Sequence, residues 1–546
     1  MLVTRRPSLM ANISPITARA DSTVGFVQRS SVEAVPRAPN SWNCEDGLPA
    51  FSGLLLALAF APTSLWLLAF VGLVPLLIYL DHPSNLLRTI RGGVIFAVVL
   101  YGFTLNWLAG MVQFSWLCVP AYLFAVFLFA CGFFVFIISV VALRSYLSLP
   151  FWCTVPFAWV ACERLRGYGD LSFPWSNLGC TLTSVPFLVQ FADIGGVFGV
   201  SFWLVLINCL LFEIITAHKN RRGTYPYVIA CIAVIFCALS YDGMCWIKGP
   251  ASAAAYKEVA VVQPNIPQKL KWDDRYARQN LAHLLRMSAL AATPDTDLLV
   301  WPETAIPYYI DESRQFRLTE LGSQLPGNEY ILTGLLTSAR VPSGEIRYFN
   351  AASLFNPHAD MLATYKKMHL VPGSEKYPFR SVLGFTRAFF SIQDVSYGAM
   401  DPGSDFTVFQ IPGAKFSVLI CYESVYPQLA RQFRLRGANF LVNISNDAWF
   451  GRSFAPYQHA SFLVLRAIEN RTAIVRCGNT GISGFVDALG RWQQKTSIFS
   501  EATIHGKVPV TSTLTFYTRC GDLIVNVSYA ALGMFFLAAL KKKYSR

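Results

Sequence analysis

Charge is scarce in this sequence. Only 14% of its 546 residues are Asp, Glu, Lys or Arg, against about a quarter in an average soluble domain, and 54% are hydrophobic. A chain this apolar, with positive mean hydropathy, carries more hydrophobic surface than one water-facing fold can bury, which excludes a wholly soluble protein. Acidic residues are scarcer than basic ones, leaving a net charge of +13. The Lys and Arg are thinly spread, however, and no basic stripe interleaved with stacking aromatics is present, which argues against a nucleic-acid partner. CxxC pairs and His/Cys ligand spacings are also missing, which argues against structural zinc. Most of the 13 cysteines, among them Cys118, Cys131, Cys153, Cys162, Cys209, Cys231 and Cys237, lie inside apolar runs, where a thiol behaves as a small hydrophobe. No metal or organic cofactor is expected.

What is present is long apolar runs, and they are unevenly placed. They crowd the stretch from about Leu48 to Trp246 and return near the C-terminus. A helix needs about 20 largely apolar residues to cross a bilayer. Eight segments qualify or nearly so: Leu48–Ala61, Ser64–Leu80, Gly92–Leu108, Val119–Leu143, Leu149–Cys162, Gly196–Ile215, Tyr227–Leu239 and Leu523–Leu540. Only Pro62 and Thr63 separate the first two, so a single re-entrant hairpin is the competing reading there. Lys and Arg should gather on the cytoplasmic side. Arg88 and Arg91, Arg144, Lys219 with Arg221 and Arg222, Lys541–Lys543 and the five arginines of the N-terminal tail all fall on one side. The exception, Glu163–Arg164–Arg166, contains its own counter-charge. The expected organisation is a tail at 1–45, disordered or a transit-like segment, then a membrane region at 46–250. A globular domain at 251–520 and a final span with a basic tail at 521–546 complete it. Both termini are expected in the cytoplasm and the globular domain on the opposite, periplasmic face of a bacterial inner membrane.

From Glu258 onward, short β-branched or aromatic runs such as Val259–Val262, Leu298–Trp301 and Phe416–Ile420 alternate with helical stretches at Tyr276–Ala291 and Tyr457–Arg471. That alternation predicts an α/β domain, in which functional side chains sit just beyond strand ends. Three places fit. Glu303 follows Leu298-Leu-Val-Trp-Pro and could act as a general base, although this segment alone reads more readily as a surface or turn-capping carboxylate. Lys366 and Lys367 leave a strand for a Pro/Gly loop, where an ammonium could stabilise an oxyanion or simply be solvated. Cys421 ends the apolar run Phe416-Ser-Val-Leu-Ile. A strand-to-helix turn there would place its sulfur at a helix N-terminus, favouring thiolate, unless it is a buried inert thiol.

Glu, then Lys, then Cys, each after a strand, resembles the nitrilase, or carbon–nitrogen hydrolase, superfamily. Combined with the apolar frame, the chain resembles apolipoprotein N-acyltransferases from about Leu48 to its end. The patches carrying the likeness are Val262-Gln-Pro-Asn-Ile-Pro-Gln268, Lys271-Trp272-Asp273, Trp301-Pro-Glu303-Thr, Tyr365-x-Lys367-x-His369-Leu-Val-Pro372, Ile420-Cys421-Tyr422-Glu423 and Ile444-Ser-Asn-Asp447-x-Trp449-Phe-Gly451. In the Tyr-x-Lys-x-His pattern the match is Lys367, and strand alternation turns Lys366 to the opposite face. One departure is Pro372-Gly-Ser-Glu375, where the family more often has Pro-Phe-Gly-Glu.

The resemblance implies an αββα sandwich and a triad of Glu303 as base, Lys367 as oxyanion stabiliser and Cys421 as nucleophile. It further implies that Glu375, Tyr422 and Glu423 support the triad and that Trp272 contacts substrate from a loop. Trp449 and Phe450, like Phe389 and Phe390, could form arms near the membrane or pack within the core. The implied partners are a phospholipid acyl donor, a diacylglyceryl apolipoprotein acceptor and the bilayer, with the protein acting as a monomer. A membrane-bound nitrilase-type amidase is the alternative.

Overall fold

In the computed structural model, residues 47–81, 86–113, 115–250, 252–313, 316, 329–341, 344–376 and 400–544 are described. The expectations for the tail at 1–45 and for Phe389 and Phe390 fall outside them.

Apolar sequence becomes helix first. Among the described residues, five helices are long and apolar enough to cross a membrane: Leu86–Thr104, Cys118–Leu147, Ala192–Lys219, Tyr225–Lys248 and Leu523–Tyr544. The expectation of eight is therefore met in full length by five. A sixth, Phe151–Leu165, has only 15 residues and carries Pro156 inside it. The first two expected segments are shorter still. Leu48–Ala59 ends at Phe60, the chain turns through Ala61–Thr63, and a 3-10 stretch at Trp66–Phe70 leads to the helix Val74–Asp81. Ser52 Oγ donates back to the Gly72 carbonyl, so this pair forms a hairpin. Its break has a sequence cause, since proline at the turn removes a donor and interrupts the helical ladder.

The second half is two mixed sheets. Strands β1 (Ala255–Gln263), β2 (Leu298–Val300), β3 (Ile306–Asp311), β4 (Tyr330–Arg340), β5 (Ile346–Phe355) and β6 (Met361–Lys366) belong to one sheet. The other holds β7 (Phe409–Ile411), β8 (Ala414–Ile420), β9 (Phe440–Ser445), β10 (Ile474–Gly478), β11 (Gly484–Val486) and β12 (Trp492–Lys495). A last strand, β13 (Ala502–Val510), returns to the first sheet and gives it the order β13-β1-β2-β4-β5-β6, with β3 beside β4; the second runs β12-β11-β10-β9-β8-β7. The parallel core strands β1, β2 and β4, and β8, β9 and β10, are the buried ones. Alternation along β1 separates two cores. Val259 and Val261 join the core between the sheets, while Ala260 and Val262 pack under the helix Asp274–Ala291 with Leu281, Leu284 and Met287. The helices Pro427–Leu435 and Ala455–Asn470 flank the second sheet, completing four layers.

The described apolar helices and the sandwich share one compact unit. Val197 N donates to Glu469, Arg471 bonds Asp193 and the Gln190 carbonyl, and Trp175 Nε1 donates to Gln458 Oε1 at 2.7 Å.

Candidate active site

Three strand ends meet at one place. Beyond β2 the chain passes through Trp301 and Pro302 to Glu303, which is buried. It fits only because β4 has Gly334 beneath it: a Cβ there would stand 2.5 Å from Thr304 N and 2.6 Å from Glu303 Cα. Glu303 Oε1 accepts from Asn350 Nδ2 at 2.8 Å and faces Lys367 Nζ at 3.4 Å, and Oε2 accepts from Asn446 N at 2.9 Å.

Beyond β6 stands Lys367, 1% exposed. Its ammonium donates to Glu375 Oε1 at 2.7 Å, and Asn350 Nδ2 reaches the same oxygen at 2.9 Å. Glu375 Oε2 accepts from Val371 N, so the carboxylate folds back over its own loop. The departure Pro372-Gly-Ser accomplishes that fold: Gly373 takes φ 84°, a left-handed value suited to glycine. Lys366 points away to Glu312, 2.8 Å distant, as strand alternation predicts.

Beyond β8 lies Cys421, in the left-handed region at φ 51°, uncommon for a residue with a Cβ. It opens a five-residue 3-10 turn, Cys421–Val425, rather than an α-helix. The expected thiolate-favouring helix terminus is therefore not what the structure supplies. Burial, then the Glu303 charge, push the thiol well above its ordinary range, and Lys367 only partly opposes them. Glu303 shows the opposite balance. Burial would raise its carboxyl, but Lys367, the Asn350 bond, Lys271 and the Cys421 thiol together hold it below the usual range. For Lys367, burial favours the neutral amine, yet Glu375 and Glu303 keep it cationic and shift it upward. The resting site thus holds a thiol, a carboxylate and an ammonium.

The supporting residues take distinct places. Glu423, fully buried, accepts from Tyr365 OH, Met368 N and His369 N with Oε1 and from Ile420 N with Oε2, so it joins the lysine loop to the cysteine turn. Burial pushes its carboxyl up to about 7 despite those donors. Tyr422 donates to the Ser172 carbonyl at 3.0 Å and stacks on Phe173 with ring centroids 5.6 Å apart. Trp272 packs beside Leu336, Leu370 and Met400. Phe450 lies edge-on to Trp107 at 4.9 Å and 6.1 Å from the His459 ring, which is core packing between the two halves. Trp449 is half-buried on the same turn, Asp447–Phe450.

Sequence reasoning missed four partners. Asn350 and Asn446 hold Glu303, and Lys271 donates from Nζ to the Glu303 carbonyl at 2.8 Å. Burial pulls the Lys271 ammonium down to about 7 against the attraction of Glu303 and Cys421. His459 contacts the Cys421 carbonyl. Asn446 and Lys271 stand inside patches already quoted; Asn350 and His459 carried no local signal. Cys421, Asp447 and His459 bring ligand-type atoms within 4.8 Å of one another. The Asp447 oxygens already serve Arg476, Ser445 and His459, so the grouping fits an internal ion-pair network rather than a cation site.

Comparison with known proteins adds an independent line. A family profile described as carbon-nitrogen hydrolase matches residues 258–514, and one described as apolipoprotein N-acyltransferase N-terminal domain matches residues 52–210. The apolipoprotein N-acyltransferase of Geobacter metallireducens is 32% identical over 519 residues, covering 91% of this chain and 95% of that protein. That of Chlorobaculum tepidum is 31% identical over 532 residues, covering 91% and 96%. Among solved structures, Saccharomyces cerevisiae Nit3, a nitrilase-superfamily member, is similar over 52% of this chain and 97% of its own, at 18% identity and a TM-score of 0.37.

Proposed function

The chain belongs to the apolipoprotein N-acyltransferase family, and from that premise we propose that Glu303, Lys367 and Cys421 carry its acyl transfer. The observation behind this reading is that a carboxylate, an ammonium and a thiol from three separate strand ends share one buried pocket.

A thiol that is costly to ionise and a carboxylate that is a weak base would exchange little proton at rest. Transfer therefore accompanies attack. As the sulfur adds to the ester carbonyl of a phospholipid, its proton passes to Glu303. Lys367 and the backbone N–H of Tyr422 face the oxygen that gains charge. Collapse breaks the C–O bond; the departing glycerol oxygen takes the proton from Glu303, leaving a thioester on Cys421. In the second half the α-amine of an S-diacylglyceryl cysteine attacks that thioester. Glu303 accepts its proton and returns it to the leaving sulfur, and the product is an amide. Glu375 holds Lys367 in place, Glu423 fixes the distance between lysine and cysteine loops, and Trp272 and Trp449 line the approach.

The helical region has a reason in this chemistry. Both substrates are anchored by acyl chains whose extraction costs about 0.8 kcal/mol per CH₂. We read about eight crossings, with the hairpin counted as two. The hairpin returns the chain to its starting side whether it spans or re-enters, so six further crossings leave both termini on one face. Helix ends support cytoplasmic termini. Arg144, Lys219 and Lys541–Lys543 cap the ends away from the sandwich, whereas the ends at Leu165, Ala192 and Leu523 lead to groups that bond it. The sandwich then stands at the periplasmic face of a bacterial inner membrane, and residues 46–250, 251–520 and 521–546 divide the labour as membrane region, catalytic domain and final anchor.

The test is intact-mass detection of an acyl adduct on Cys421 after incubation with phospholipid, followed by its transfer to a diacylglyceryl peptide. An adduct discharged only to free fatty acid in the presence of that peptide favours the amidase-like alternative.

A further inference from the structure

Behind Cys421 lies a second charged cluster that the triad does not use. Asp447, His459 and Arg476 are all buried. Asp447 Oδ2 accepts from Arg476 Nη2 at 2.7 Å, and Oδ1 accepts from Ser445 Oγ at 2.7 Å and faces His459 Nδ1 at 2.9 Å. The other ring nitrogen, His459 Nε2, lies 2.9 Å from the Cys421 carbonyl oxygen, which Asn443 Nδ2 also approaches at 3.4 Å. Arg476 Nη1 secures Asn443 Oδ1 in turn.

Proximity alone would nominate His459 as a base, giving a Cys–His–Asp set in competition with Glu303. The hydrogen-bond inventory opposes that. A carboxylate paired with arginine and a peptide carbonyl are both acceptors, so each ring nitrogen must bring a proton to its contact. Arg476 Nη2 has a second N–H and sits 3.2 Å from Nδ1, but accepting it there would leave the Nδ1 lone pair facing the closer Asp447 oxygen at 2.9 Å. With both nitrogens turned to these acceptors, the ring has no lone pair free to take the thiol proton. It can instead hold the backbone on which the sulfur is mounted, which takes the left-handed φ of 51° that a side chain rarely adopts unaided.

We propose that the Asp447–His459 pair is a positioning device: it grips the carbonyl of Cys421 and so fixes the turn that presents the sulfur to the acyl donor. The proposal rests on the reading of Cys421 as nucleophile. Neither residue touches the reacting atoms.

Full-length protein in phospholipid vesicles, followed by intact mass for the first turnover at Cys421, tests it. Wild type comes first; no adduct there refutes the triad reading itself, not the positioning. Given that adduct, His459→Ala should slow its formation by about 10–100-fold, with the phospholipid concentration for half-maximal rate unchanged. His459→Gln, whose amide nitrogen can donate to the same carbonyl, should recover to within about fivefold of wild type and keep the acid limb of the pH profile in place. Where the alanine variant does not fold, His459→Asn serves, since it reaches Asp447 but falls short of the carbonyl; slow Asn with fast Gln supports the proposal. An alanine variant as fast as wild type overturns it, as do equal Asn and Gln rates. A glutamine variant as inactive as Cys421→Ala, with the acid limb displaced, overturns it in favour of His459 as the base.

Discussion

The helical region and the sandwich are opposites in what they hide. On the helix Tyr225–Lys248 only 11% of the apolar stretch is buried, and Phe236 is 67% exposed, whereas every residue of the strand Phe440–Ser445 is buried. The sandwich encloses Glu303, Lys367, Glu423, Asp447 and Arg476. Burial in each half follows the medium around it: where lipid is the solvent, apolar side chains gain nothing by turning inward, and where water is the solvent, charge can be enclosed only if paired. The halves touch where Tyr422 meets Phe173 and Ser172, and under the proposed mechanism a lipid-borne ester would reach the enclosed charge there.

Substitutions can break this contrast from either side. The largest effect expected is at Cys421: Cys421→Ala should abolish the acyl adduct seen by intact mass, since no other thiol shares the pocket with Glu303 and Lys367 among the described residues. Lys367→Met should follow, with an adduct rate lowered by about 10²–10³-fold, the range for losing one oxyanion donor. It also removes the ammonium that bonds both Glu375 and Glu303. On the other side, Phe236→Lys places a charge at a lipid-facing helix centre, costing about 3 kcal/mol of insertion. Membrane-fraction yield should fall, while Gln494→Lys on the exposed edge strand β12 should leave yield unchanged.

Smaller effects sharpen the contrast. Lys271, held near 7 from an ordinary 10.5, binds fewer protons in the folded state between those values, so wild-type stability rises with pH across that window and its penalty is complete below about 7. Lys271→Met removes the penalty. Its melting temperature relative to wild type should therefore be higher at pH 6 than at pH 9, and no pH dependence of the difference would show that Lys271 is not so perturbed. Smallest of all, Lys366→Met should stay within about twofold of wild type in adduct rate, because its partner Glu312 is an exposed ion pair of little energetic weight.

Much of this was legible in the sequence, and unevenly so. At the strand ends each of Glu303, Lys367 and Cys421 was ambiguous alone; their order and the resemblance singled them out, the Tyr-x-Lys-x-His pattern with period-two alternation separated Lys367 from Lys366, and the fold brings the three together. Long apolar helices were legible by length, while at Leu48–Ala59 and Trp66–Asp81 hydropathy left two spans and a re-entrant hairpin both open, since it counts residues and does not fix the path between them. The polar braces were hidden for a different reason. Asn350 reaches Glu303 across 47 positions and His459 reaches Cys421 across 38, and no local pattern encodes a contact made by sheet order. The sulfur's preference for the thiol form was likewise invisible, since burial and the Glu303 charge arise only after folding.

Glu423 has a bearing on timing. Its two oxygens fasten the backbone of Met368 and His369 and that of Ile420, so lysine and nucleophile are referred to one rigid datum rather than to each other through the whole sheet. On the proposed mechanism, in which an acylated Cys421 waits for a second membrane-bound reactant, this shared carboxylate keeps ammonium and sulfur in one register through the pause.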